Sequence, residues 1–274
     1  MVIRARLDRA RRDTWEVQRR FGAIRGANLA AAISMRAFLA LFPIALLAIA
    51  FVGFAGGDAH SVARSIGNAL GLGDDLNKTL VETVLSAQRR RVESSIVGVL
   101  GLVWTGTGLT AAVNAAWDEA WNIRGGGLRG RAIGVVWLLG GLVFLTLIVG
   151  TGILLRRVDI LLEFGIIGGI AANTLFFYWT AIVLPARKIP RRAMRFPALC
   201  AGIALEVLKV IGSRFVPELV LRSASLYGTI GAVFALLVWL LVLGRLVVYT
   251  ALLERVRWDS SLATGTQITD STDE

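Results

Sequence analysis

One cysteine and one histidine, Cys200 and His60, are all that 274 residues offer of the side chains that most often staple folds or ligate metals. A lone cysteine excludes a disulfide within the chain. A lone histidine excludes the hydrolytic metal centres that draw on several. Charge is scarce as well, at 18% of residues, and the few carboxylates never gather in a polar domain. A metal-dependent nuclease is therefore not expected. No Gly-x-x-x-x-Gly-Lys-Ser/Thr loop occurs, so the chain carries no ATP-driven engine and no recognisable cofactor motif.

What the sequence has in excess is apolar surface. Apolar residues make up 55% of the chain, and the mean hydropathy is +0.67. A soluble domain of this size needs more polar surface than that. The charges are also segregated, leaving uncharged runs at 37–57, 94–117, 132–155, 164–186 and 223–244. Crossing a hydrocarbon core of ~30 Å takes about 20 helical residues, and each run reaches that length. Backbone groups in hydrocarbon must be satisfied within the segment, which makes these runs helices. A β-barrel would alternate apolar and polar residues over ~10-residue segments, and these runs are apolar on every face. The basic N-terminal stretch is long, and the apolar run after it exceeds a signal-peptide core, so no cleaved signal is expected.

The fold class that follows is all-α and polytopic. Six transmembrane helices are expected at about 28–56, 94–117, 132–155, 160–184, 197–216 and 225–253. A basic segment, 1–27, precedes them, and a polar tail, 255–274, follows. Pro43 should kink or loosen the first span. Between the first two spans, 58–92 is too polar for lipid. Leu76, Leu80, Val81, Val84 and Leu85 fall on one helical face there, which predicts an amphipathic helical segment on the outer surface. Residues 1–27 contain eight arginines. They read either as an amphipathic helix near anionic lipid headgroups or as a solvated basic tail. With both ends inside, cytoplasmic segments hold 18 of the 30 Lys and Arg, outer segments 9 and spans 3. The positive-inside rule thus favours cytoplasmic termini. It also turns the +11 charge away from nucleic acid and towards the membrane surface.

Polar residues within the spans are the candidate site. A charge at the bilayer centre costs ~2.5–3.5 kcal/mol on insertion scales, so each needs a reason. Glu206 and Lys209 stand mid-span, three residues apart on adjacent parts of one face, where they can pair. The pair is either a structural pin or part of a polar lining for a substrate or proton. Asn114 shares a face with Asp118 near the end of the second span, and Asn173 lies within the fourth. Both are able to tie helices together by hydrogen bonds or to line a path. Arg245 completes the set, although it and Arg36 lie beside uncharged runs long enough to let them snorkel. Trp117 and Trp121 suit an aromatic belt. Gly140–Gly141 and Gly168–Gly169 suit close helix packing, since no strand precedes them to make a phosphate loop.

Several stretches together resemble the YihY/BrkB family of bacterial inner-membrane proteins, once labelled ribonuclease BN. They are the run from Ala37 to Pro43 ending Leu-Phe-Pro, and Trp104, Asn114 and Trp117 before an Arg-containing loop. Leu184–Pro185 before a basic loop and the spacing of Glu206 and Lys209 also fit. The most specific is Tyr227–Gly228–Thr229–Ile230–Gly231–Ala232, leading to Leu237–Val238–Trp239–Leu240. The similarity runs in order over roughly 15–258, with departures at Arg36 and at Leu252–Leu253–Glu254. It implies six spans and a bacterial inner membrane, and no particular substrate. Two functions stay open: a transporter, exporter or lipid-handling protein acting on a small molecule or lipid, and an envelope-organising protein whose polar residues only hold helices together. Oligomeric state is not read from the sequence.

Overall fold

Apolar runs that outlast twenty residues have one way to satisfy their backbone in lipid, and helices are what the chain forms. The computed structural model describes residues 2–54, 82, 85–86, 90–123, 133–134, 136–141, 143–144, 162–185, 190–227 and 229–270. Six long helices follow in order: α1 (Val2–Ala23), α2 (Gly26–Phe54), α3 (Arg91–Trp121), α4 (Leu162–Val183), α5 (Arg191–Tyr227) and α6 (Thr229–Asp270). Residues 133–134, 136–141 and 143–144, within the expected third span, are helical too, and no strand occurs among the described residues. Most of the expected amphipathic segment at 58–92, the arginine-bearing loop at 124–131, the rest of the third span and Arg187–Lys188 lie outside the described residues.

Among the described residues, four helices are long and apolar enough to cross a membrane, at Gly26–Leu47, Val92–Trp121, Ile166–Val183 and Val233–Leu262. Their surfaces agree. On α3, Ile96, Val97, Leu100 and Trp104 are exposed, Trp104 to 82%. A contiguous apolar face of this kind is foreign to a water-facing surface and suits lipid. The expected fifth span lies in α5, which is not among the four and carries Glu206 and Lys209.

The chain divides into two units. The first comprises Met1–Ala31, Thr110–Glu206 and Leu243–Glu274, the second Ala32–Leu109 and Val207–Val242. In the first, α1 docks on α6. Its buried and half-buried residues, Asp13, Glu16, Val17, Arg20 and Phe21, recur at helical spacing. Phe21 stacks on Tyr249 at 4.6 Å, and Tyr249 Oη donates to Gln18 Oε1 at 2.9 Å. Arg20 donates to Asp259 at 2.8 Å and to Glu16 at 2.7 Å. Hydrogen bonds from Arg19 and Arg20 hold the Glu16 carboxyl below its ordinary value. Residues 12–24 are thus neither a free tail nor a helix given wholly to lipid. Elsewhere in this unit Trp137 Nε1 donates to Thr180 Oγ1 at 3.0 Å, and Phe144 stacks on Phe176 at 4.9 Å. The helical residues of the third expected span therefore pack on α4.

In the second unit the buried Pro43 of α2 lies against α3, where a Cβ at Gly101 would be 3.2 Å from the Pro43 Cβ. Gly101 leaves room for the proline ring.

Two boundaries differ from the sequence reading. The stretch 217–224 is expected between spans, yet α5 runs unbroken through it to Tyr227. Polar residues suggested a loop there, but Glu218 and Arg222 pair at i,i+4 along the helix, a spacing that supports helix. The tail from 255 is likewise helical to Asp270, with Arg255 and Asp259 paired at 3.0 Å one turn apart. The C-terminus of α3, by contrast, carries a legible stop. Asn122 adopts φ 51°, and Ile123 N donates to Asp118 O at 2.8 Å, the capping pattern that Asn tolerates better than most residues.

Candidate functional site

Two polar groups lie inside the first unit. In one, α4 and α5 run antiparallel, and the structure brings together two residues expected to be functional. Asn173 Nδ2 donates to Glu206 Oε2 at 2.8 Å, and Asn173 is only 2% exposed. One turn earlier on α4, a Cβ at Gly169 would fall 2.6 Å from the same carboxylate oxygen. The missing side chain is the slot into which Glu206 fits. Gly168, expected to share this packing, has nothing within 4 Å of the position of its Cβ. Lys209 is one turn beyond Glu206 on α5, on the exposed surface of the helix.

The second group centres on Glu254, which the sequence reading does not single out as a site, and includes Asn114, which it does. Glu254 of α6 is 0% exposed, as is Trp117 of α3. The indole Nε1 of Trp117 donates to Glu254 Oε2 at 2.9 Å. The other carboxyl oxygen, Oε1, is buried without a hydrogen-bond partner among the described residues, and so are Asn114 Oδ1 and Trp121 Nε1. Asn114, Trp117 and Trp121 stand at i, i+3 and i+7 of one helix, on one face. The nearby arginine does not neutralise Glu254: Arg255 pairs with Asp259 and lies over the Trp121 ring at 5.2 Å.

Trp117 and Trp121 were expected in an interfacial belt. Instead they are buried, at 0% and 9% exposure, because a carboxyl and a guanidinium on α6 hold them inward. Glu254 was passed over because it follows Arg245 and precedes Arg255, beyond the last uncharged run, and so resembles an interfacial residue. Only the continuation of α6 to Asp270 reveals it as part of a packed helix.

The remaining expected residues stand apart from these carboxylates. Arg245 is exposed on α6. Arg36, on α2, rests its guanidinium against Gly108 of α3 in the second unit, where a Cβ would collide with it. No group of three or more His, Cys, Asp or Glu suited to a metal ion occurs among the described residues.

Long apolar helices with exposed apolar faces, and polar side chains that meet between them, are the marks of a helical membrane protein. The chain matches the Virulence factor BrkB family over residues 17–270 and belongs to that family. It is also similar to an uncharacterized protein of Dickeya dadantii (strain 3937), 28% identical over 263 residues, covering 85% of this chain and 79% of the relative. No solved structure matches it.

Proposed function

We propose that this chain is a six-span transporter or exporter of the bacterial inner membrane, with both termini cytoplasmic, whose intramembrane carboxyl groups belong to the path taken by its substrate or by a coupling ion. The observation that carries this reading is Glu254: a fully buried carboxyl with one oxygen on Trp117 and the other unfilled among the described residues. Groups that only pin helices together are normally satisfied, and a half-satisfied buried one calls for a functional account. Such a carboxyl has room for one more proton, cation or donor. Asn114 and Trp121 add an unfilled acceptor and donor on the facing helix. Six spans are supported by the five uncharged runs together with the length of α5, and cytoplasmic termini by the arginine distribution. Nothing in the polar groups requires enzymatic chemistry or a cofactor.

Glu254→Gln separates the transport reading from the envelope-organising one. The amide oxygen still accepts from Trp117, and the ionisable group is gone. In a strain lacking the native gene, the variant is expected to reach wild-type membrane levels and to melt within a few degrees of wild type in detergent. It is also expected to fail to complement the deletion phenotype. Full complementation would return the group to a structural role.

A further inference from the structure

A groove of about 710 Å³ runs along the contact of α4 with α5 in the first unit. Its wall is mostly apolar, with Ile167, Ile170, Leu175 and Leu199 among its lining residues, and Thr174, Tyr178 and Arg195 are its polar members. Ile167 and Leu175 are 66% and 62% exposed on helices whose other exposed positions suit lipid. The antiparallel pairing that sets Gly169 and Asn173 beside Glu206 fixes the direction of the groove. Arg195, one turn into α5, lies at the end where α4 finishes.

We infer that this groove holds one phospholipid with an anionic headgroup, its acyl chain along α4 and its phosphate at Arg195. Three features select this occupant. Ile167 and Tyr178 are eleven positions apart on α4, which is about 16 Å at 1.5 Å per residue. That is about half the ~30 Å hydrocarbon core, the depth reached by a chain of one leaflet. The guanidinium sits at the interfacial end, where it can hold a phosphate through paired N–H donors. Arg191 and Arg192 are exposed in the first turn of the same helix, whose N-terminus also favours an anion. The groove lies on the surface of the unit and does not include Glu206 or Glu254, so it stands independently of the transport reading.

The test uses the purified, delipidated full chain and native mass spectrometry, with an equimolar mixture of dioleoyl phosphatidylglycerol and dioleoyl phosphatidylcholine. Wild type is expected to take phosphatidylglycerol preferentially as its first adduct. Arg195→Gln should lower that preference about fivefold, the scale of one basic residue at an anionic surface. Ala171→Trp, which fills the groove from its lining, should reduce the first adduct of both lipids. Arg12→Gln, on exposed α1 surface, should change neither. An undiminished preference in Arg195→Gln overturns the proposal, as does a dimer whose formation excludes the lipid. If Ala171→Trp does not fold, Arg195→Gln decides the matter alone.

Discussion

Trp117→Phe is expected to destabilise the protein far more than the loss of one hydrogen bond in water-facing surroundings would. The substitution removes the only donor found on Glu254, leaving a fully buried carboxyl with neither oxygen bonded among the described residues. Stranding a buried acceptor costs about 1–3 kcal/mol, and more where the group is charged. The smaller ring adds a packing loss of about 1 kcal/mol. Replacing both partners by apolar residues behaves differently, because no polar atom is stranded. Trp117→Phe combined with Glu254→Met should therefore be more stable than Trp117→Phe alone. Unfolding of wild type, both single variants and the double variant in detergent completes the cycle. Strictly additive losses would mean that the indole and the carboxyl do not interact.

Gly244 carries the second large effect. A Cβ there would lie 2.5 Å from the carbonyl oxygen of Ala30, so α2 and α6 touch backbone to backbone in the first unit. A backbone oxygen cannot swing aside as a side chain does. Gly244→Ala must push the two helices apart, at an expected cost of about 1–3 kcal/mol, and Gly244→Leu should exceed that. Gly168→Ala is the matched control, since its Cβ meets nothing within 4 Å. There the gain in helix propensity, about 1 kcal/mol at most, is unopposed. Melting temperatures should fall for Gly244→Ala and hold or rise for Gly168→Ala. Equal responses would contradict the close approach.

These contacts show where the sequence speaks and where it falls silent. The helical, membrane-spanning class is written in the uncharged runs, because apolar length and backbone satisfaction are properties of one segment at a time. Asn173 and Glu206 were legible as candidates because each is polar in an apolar run. Their contact with each other was not, since it depends on how α4 packs against α5. Glu254 is the instructive miss. Beside Arg255 and past the last apolar run, it looks like a residue at the membrane surface, and only tertiary packing shows that its arginine neighbour is taken by Asp259. Gly244 and Gly168 look alike in sequence. The distinction between them belongs to whichever helix lies opposite.

In the transport reading, the carboxyl groups of Glu206, half-buried, and Glu254, fully buried, belong to a path that opens to water. Substituted-cysteine accessibility in intact membranes tests it most directly. In a Cys200→Ser background, Asn173→Cys and Glu254→Cys would be exposed to a membrane-impermeant thiol reagent from either side. Lys188→Cys and Thr269→Cys serve as references for the inner face, and Trp104→Cys, on the lipid-facing surface, as the unreactive control. Both path positions are expected to be modified, more slowly than the inner-face references and much faster than Trp104→Cys. Protection of both to the level of Trp104→Cys, in protein that folds and inserts normally, would contradict the transport reading.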